Sequence, residues 1–297
     1  MKFYYIFIAL FASPLIFSQN FKKEFEKVFE VNDVKKEEKI LQNWEKQNPE
    51  DPELFVSYFN HLYRKSNKNT VQLTSNNTDN QSLSIQNSKN ENVAFLSESV
   101  SYDPILFQLA IDKIDEGIAL FPNRLDMRFG KIYVLGQNKN WKKFTNEIIN
   151  TVNYSAINKN QWTWANNESK SDGKDFLLSN IQTYQNQLYN TGDDNLLTHM
   201  QDIANTILAH YPNHIESLTN ISVTHLILKE YDKGIAALLK AEKINPKDYV
   251  VLSNIAQGYQ LKGEPSKAIE YYEKCIIYGD GPTRIFAKTQ IETLQKK

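Results

Sequence analysis

Residues 215–248 read IESLTNISVTHLILKEYDKGIAALLKAEKINPKD, and residues 249–282 read YVVLSNIAQGYQLKGEPSKAIEYYEKCIIYGDGP. A shift of 34 residues superimposes like residues of the two stretches. Within each copy the apolar positions recur every three or four residues, which is the spacing of one face of an α-helix. The sequence therefore predicts two successive helix–turn–helix repeats. The superimposed pairs include Leu218 with Leu252, Ile221 with Ile255, Gly234 with Ala268, Leu238 with Tyr272 and Ala241 with Cys275.

Small residues occupy the places where the two helices of a repeat must approach each other. Gly234 is one of them, and a larger side chain there would overpack the contact at a cost of about 1–3 kcal/mol. A glycine inside a helix by itself weakens the helix by about 1 kcal/mol. We therefore interpret Gly234 as a residue that close helix packing requires.

The ends of the predicted helices carry suitable residues. Asp248 follows Asn245 and Pro246 and is expected to cap the amino terminus of the next helix. Gly263 is expected to end that helix, and Pro265 suits the first turn of its partner.

In length and residue pattern this unit resembles the tetratricopeptide repeat, a family of stacked helix pairs of about 34 residues each. The resemblance implies an all-α fold, a right-handed α-solenoid of antiparallel helix pairs. A weaker copy of the repeat ends at Pro122. A small residue, an aliphatic residue and a second small residue lie twelve, eight and five residues before Pro122, and the same three types lie at the same distances before Pro246. These residues are Ala110, Ile114 and Gly117 in the weaker copy, and Gly234, Leu238 and Ala241 in the stronger one.

Other segments show helical periodicity, which gives about five or six helix pairs in all. The last helix, residues 283–297, is predicted to cap the apolar end of the stack. The best-formed repeats span 215–282. The remaining predicted helices cover 21–48, 51–63, 103–121, 125–135, 141–152, 176–189 and 196–211.

The first residues are typical of a signal peptide. Lys2 precedes an apolar run from Phe3 to Phe17, which suits a signal-peptide core and is short for a membrane span. We expect residues 1–18 to be removed and residues 19–297 to form the mature chain, in the periplasm or at the cell surface. An uncleaved membrane anchor is the alternative, and the sequence leaves it open.

Two segments interrupt the helical pattern. Residues 65–101 are rich in Asn, Ser, Gln and Thr and are predicted to be a polar flexible insertion, a mobile loop. Residues 153–172 are predicted to be an irregular connection. Trp162 and Trp164 lie in it, and we expect them to pack under a loop rather than form an exposed surface, since Trp is mostly buried.

Composition and motifs argue against several functions. The net charge is −1, so the chain lacks the basic surplus typical of proteins that bind nucleic acid. The single Cys275 cannot form an internal disulfide and is read as a core residue. We find no phosphate-binding glycine loop, nucleophile motif or metal-ligand spacing, and therefore predict no catalytic residue, no cofactor and no metal.

By its resemblance to the family, the chain is expected to bind a peptide in a groove lined by the first helix of each repeat. Some family members hold a peptide with an Asn that corresponds to Asn220 and Asn254, although both could instead join neighbouring helices. Glu216 and Val250 stand where an acidic-tail clamp would have Lys, so we do not expect such a clamp. The expected groove residues are Thr219, Asn220, Val223, Leu226, Ser253, Asn254, Gln257 and Gln260.

The sequence thus favours a non-enzymatic adaptor that binds a protein or peptide partner in the cell envelope. Two alternatives stay open: an accessory protein that binds an envelope polymer such as peptidoglycan or polysaccharide through Trp162 and Trp164, and an enzyme with a site assembled from distant loops. The sequence leaves the partner's identity, the role of the insertion and the oligomeric state open.

Overall fold

The computed structural model describes residues 14–74, 83–87 and 89–296. Helices dominate this part of the chain, which confirms the predicted all-α class built from antiparallel helix pairs. The helices are α1 (Pro14–Glu30), α2 (Val34–Gln47), α3 (Pro52–Ser66), α4 (Pro104–Leu120), α5 (Leu125–Gln137), α6 (Trp141–Ile157), α7 (Gly173–Tyr189), α8 (Leu197–His210), α9 (Ile215–Ile227), α10 (Tyr231–Ile244), α11 (Tyr249–Lys262), α12 (Pro265–Tyr278) and α13 (Gly281–Gln295).

The chain divides into two compact units. The first unit comprises Met1–Lys139 and Trp162–Lys170, and the second comprises Asn140–Gln161 and Ser171–Lys297. In the first unit, Trp44 of α2 is buried among side chains of α1, α2 and α3, such as Phe25 and Leu54. In the second unit, the core of the last repeats gathers apolar side chains from α9 to α13. They include Leu218, Leu238, Leu252, Ile255, Tyr272, Cys275 and Ala287.

The predicted repeat period is present in the helices themselves. α11 begins 34 residues after α9, and α12 begins 34 residues after α10, as the bounds given above show. Asp248 caps α11 by accepting hydrogen bonds from the backbone N–H groups of Val250 and Val251. Gly263 ends α11 with a left-handed φ of 82°, a conformation that glycine adopts without a steric penalty.

The predicted close contact at Gly234 is also present. A Cβ atom on Gly234 would lie 3.0 Å from the side chain of Leu226 and 3.1 Å from the carbonyl oxygen of Ser222, both in α9. Ala268, its counterpart in the second copy, is fully buried. The close packing predicted at Gly234 is therefore confirmed, and Ala268 is buried at the equivalent position of the next repeat.

Residues 65–101 are predicted to be a polar flexible insertion, and the expectation of a loop is wrong for the described residues, while the flexibility stays a prediction. Ser66 still belongs to α3, and the segment beyond it contains strands β1 (Asn67–Thr74), β2 (Leu83–Gln86) and β3 (Asn92–Tyr102). They form an antiparallel sheet in the order β1-β3-β2. Pairing of backbone groups between distant strands stabilises such a sheet, and a polar sequence does not reveal it.

The predicted irregular connection at 153–172 is shorter than expected. α6 continues to Ile157, and strands β4 (Thr163–Trp164) and β5 (Glu168–Ser169) form a small antiparallel hairpin. Three residues in a 3₁₀ turn, Ala165–Asn167, join the two strands.

Part of the predicted signal peptide, residues 1–13, lies outside the described residues. α1 begins at Pro14 and passes through the predicted cleavage point after Ser18 without a break. Cleavage therefore stays a prediction. Within the described part of the chain, no helix combines the length and the apolarity that crossing a membrane requires.

Candidate functional site

The residues expected to line a groove lie on α9 and α11, the first helices of the two best-formed repeats. We call the surface that they share with α7 and α13 in the second unit the first-helix face. On it Gln257 is exposed, and most of the other expected residues are half-buried. Asn220 differs, because only 8% of its surface is exposed.

Asn220 joins two helices. Its side-chain amide donates to the Oε1 atom of Gln182 in α7 at 2.8 Å, and its Oδ1 atom accepts from Nε2 of Gln182 at 3.3 Å. Both amide groups thus satisfy each other across α7 and α9. This geometry favours the alternative given above for Asn220, a structural hydrogen bond rather than a contact with a peptide.

Asn254 has different surroundings. Its side chain makes no hydrogen bond to any described residue. It lines a cavity of about 310 Å³ between α11 and the start of α13, together with Ser253, Val250 and Phe286. Val250 is 53% exposed and Phe286 39% exposed. An unused amide beside exposed apolar side chains can hold an extended peptide, with the amide on the backbone and the cavity around a side chain.

Two other expected groove residues are used within the fold. Gln260 accepts a hydrogen bond from the hydroxyl of Tyr272 at 2.8 Å and donates one to Gln290 at 3.3 Å. Leu226 fills the space that the missing side chain of Gly234 leaves. Of the eight expected residues, Ser253 and Asn254 line the cavity.

A larger cavity, of about 730 Å³, lies on the first-helix face between the start of α7 and the α8–α9 turn. Lys174, Asp175 and Glu216 place charges of both signs around it, and Tyr211 presents its ring there, with Lys174 Nζ 5.4 Å from the ring centre. The mixed charge favours no single class of ionic ligand. The sequence predicted no role for Lys174 or Asp175. For Glu216 it indicated only that this position does not carry the Lys of an acidic-tail clamp.

His214 borders the same cavity and caps α9. Its Nδ1 atom accepts a hydrogen bond from the backbone N–H of Ser217 at 3.3 Å, so Nδ1 carries no proton. Burial lowers the pKa of His214 from its usual value, Lys174 lowers it further, and Glu216 opposes the change. His214 is therefore a neutral helix cap.

The other histidines do not gather around a common point. His210 bonds the side chain of Asn153 at 2.9 Å, and His225 bonds that of Glu230 at 2.6 Å. The described residues contain no group of three or more side chains placed to hold a metal ion.

The two tryptophans of the connection do not form an exposed platform. Trp162 is fully buried in the first unit. Trp164 is half-buried, and its ring makes an edge-to-face contact with that of Phe129 at 6.2 Å between ring centres. The expectation that these residues pack is confirmed, and the polymer-binding alternative loses the surface on which it depended.

Comparison with protein families matches a tetratricopeptide repeat model to residues 215–248 and 250–276. These ranges follow α9–α10 and α11–α12, the pairs in which the period and the close contacts were observed. Residues 215–248 and 250–276 therefore form tetratricopeptide repeats. A comparison with curated proteins found no match.

Several solved structures are similar to the chain. YrrB, a tetratricopeptide repeat protein with an unusual peptide-binding site, is 13% identical with a TM-score of 0.41, over 84% of this chain and 97% of YrrB. A protein from Parabacteroides merdae is 11% identical with a TM-score of 0.38, over 94% and 87%. MamA from Desulfovibrio magneticus RS-1 is 12% identical with a TM-score of 0.30, over 88% and 94%. The repeat match, not these likenesses, supports the assignment.

Proposed function

We propose that this protein is a non-enzymatic interaction scaffold that binds a peptide segment of a partner protein at the cavity beside Asn254. The observation that carries the proposal is the unused amide of Asn254 in a cavity that Val250 and Phe286, two partly exposed apolar side chains, also line. Stacked helix pairs can present extended binding surfaces on their first helices, and Asn254 lies on α11, the first helix of its pair, which supports the proposal.

A comparison of asparagine variants tests the proposal. The full chain is immobilised and partner proteins from the cell envelope are captured, identified and then measured as purified components. We expect Asn254→Ala to weaken binding of the purified partner at least several-fold. The melting temperature of the variant should stay within about 2 °C of the wild type, because a surface substitution changes stability by about 0.5 kcal/mol or less.

Asn205→Ala is the matched control, because Asn205 is exposed on α8 and makes no hydrogen bond to a described residue. Asn220→Ala should instead lower stability, since it leaves the Oε1 atom of Gln182 without its hydrogen bond, although Nε2 of Gln182 keeps the one to Asn186. If Asn254→Ala bound the partner as tightly as Asn205→Ala does, the Asn254 site would be rejected.

We also propose that the protein works outside the cytoplasm, which the apolar run Phe3–Phe17 supports. Mass spectrometry of the protein from fractionated cells tests this. A chain that begins at Gln19 and is found outside the cytoplasm is the expected result. An intact Met1 in the membrane fraction would favour the anchor instead.

A further inference from the structure

A third cavity, of about 350 Å³, lies in the second unit beside the turn that joins α7 to α8. Leu188, Leu197 and Met200 line it and are buried, so its inner wall is apolar. Tyr189 and Ile227 also line it but are 50% and 38% exposed. The cavity thus offers apolar contact and one accessible aromatic ring to a ligand that enters from solvent.

The same cavity has a negative rim. Asp193 and Asp194 line it, and no Lys or Arg does. Neither carboxylate forms an ion pair with a described residue. Asp193 uses Oδ1 to accept hydrogen bonds from the backbone and side-chain N–H groups of Asn195, at 3.0 and 2.8 Å. The carboxyl-terminal end of α7 adds partial negative charge here, and the amino-terminal end of α8, from Leu197 to Met200, adds partial positive charge, so the two carboxylates decide the sign of the rim.

We propose that this cavity binds an arginine side chain of a protein partner. The aliphatic part of the arginine would pack against Leu188, Met200 and Ile227, and the guanidinium would lie beside the ring of Tyr189 and the two carboxylates. An elongated apolar stem with a charged end matches apolar walls below a carboxylate rim. Arginine fits better than lysine, because its planar group stacks on an aromatic ring and bonds carboxylates through two N–H groups at once.

This site is independent of the one proposed above, since no residue lines both cavities. The two proposals can therefore fail separately. Loss of binding at Asn254 would leave the arginine site untouched, and the experiment below uses no partner protein.

Methyl NMR on the full chain, with labelled Met and Ile methyl groups, tests the arginine site. The probe is the peptide acetyl-Gly-Arg-Gly-amide, and two further peptides carry citrulline or lysine in place of arginine. Citrulline has the shape of arginine without its charge. We expect the arginine peptide to shift the Met200 and Ile227 signals and to bind about tenfold more tightly than the citrulline peptide. Met127, buried in the first unit, serves as an internal reference that should not shift.

Variants then test the carboxylates. Asp194→Asn is expected to weaken binding of the arginine peptide about fivefold, which corresponds to the free energy that a partly exposed ion pair contributes. Asp193→Asn can keep the hydrogen bonds to Asn195 through its own Oδ1 atom, so it removes charge without removing the turn contact. Asp202→Asn is the matched control, because Asp202 is exposed on α8 away from the cavity lining.

Three results would overturn the assignment. Equal binding of the citrulline peptide would mean a purely apolar site, and equal binding of the lysine peptide would mean a site for any cation. Unchanged binding by Asp194→Asn, with an unchanged methyl spectrum of the free variant, would separate the carboxylates from the ligand.

Discussion

Gly234 shows how a single residue sets the distance between α9 and α10. The Leu226 side chain near it could move to make room for a Cβ atom, but the Ser222 carbonyl oxygen belongs to the backbone of α9. A larger residue would therefore push the two helices apart. Glycine lowers the stability of α10 relative to alanine, and the close packing of α9 and α10 offsets this loss.

We expect Gly234→Val to lower the free energy of unfolding by about 1–3 kcal/mol through overpacking. Urea unfolding followed by circular dichroism measures it. The control is Gly130→Ala in α5, where a Cβ atom would meet only the Phe59 ring at 3.4 Å. That variant should gain about 0.5–1 kcal/mol, because alanine favours the helix. A Gly234→Val protein as stable as the wild type would contradict the packing argument.

His214 makes stability depend on pH. Its pKa in the folded protein lies below the usual value of 6.5, chiefly because it is buried. The unfolded chain therefore binds a proton at His214 more readily than the folded chain does. Its contribution to stability is complete above about pH 6.5 and is lost as the pH falls from there toward the lowered pKa.

Substitution of His214 by Asn tests this sign. Asparagine is a good helix cap that does not titrate in this range. We expect the melting temperature of the wild type to fall more between pH 7.5 and pH 5 than that of His214→Asn. Parallel curves for the two proteins would show that His214 does not titrate on unfolding.

At the scale of elements, buried charges hold the β4–β5 hairpin on the first unit. Glu53 of α3 pairs with Lys22 of α1 and with Arg124, both at 2.8 Å, and accepts the backbone N–H of Asn166 in the hairpin at 2.7 Å. Burial alone would raise the pKa of Glu53, but Lys22, Arg124 and the Asn166 N–H together bring it below the usual value. The carboxylate thus stays ionised and anchors the hairpin.

Arg124→Ala should lower the stability of the first unit by about 3–5 kcal/mol, since it leaves Glu53 and Asp126 as buried or half-buried charges without that partner. Limited proteolysis is expected to cut the hairpin faster in this variant. Arg284→Ala on the exposed side of α13 is the control and should change stability by about 1 kcal/mol or less. Equal proteolysis of both variants would count against the anchor.

Local signals made some elements predictable and left others hidden. The α9–α12 repeats could be read from the sequence because Asp248, Gly263 and Pro265 act on their own neighbours. The β1-β3-β2 sheet could not, because Asn67 pairs with Tyr102, and such distant pairing leaves no local period in a polar sequence.

The candidate site divides in the same way. The helical period places Asn220 and Asn254 at equivalent positions, so the sequence predicts one role for both. Gln182, 38 residues before Asn220, makes the difference between them, and no short-range pattern identifies it as the partner. The cavity beside Asp193 was missed for a similar reason, since Leu188, Met200 and Ile227 come from three helices.

At the scale of the whole molecule, the single cysteine reports on folding. Cys275 is fully buried between α11, α12 and α13, and burial raises the pKa of its thiol to about 11. The reactive thiolate is therefore both rare and shielded at neutral pH.

We expect Cys275 to react with a thiol reagent such as dithionitrobenzoate only when the last repeats open. The reaction should accelerate with urea in step with the loss of helical circular dichroism. Fast labelling of the folded protein in buffer would show that α11 and α12 separate without global unfolding.

The chain leaves the helices for the three-stranded sheet after Ser66 and returns to them at Asp103, and these two places lie next to each other. The N–H of Asp103 donates to the carbonyl oxygen of Ser66 at 2.7 Å, and the rings of Tyr63 and Tyr102 stack at 5.6 Å. These contacts hold the end of α3 next to the start of α4. A longer segment between them would therefore add little to the entropy cost of closing the loop. Residues 68–101 are thus a suitable insertion site. A fluorescent protein whose termini lie close together could replace this segment while α3 and α4 stay paired.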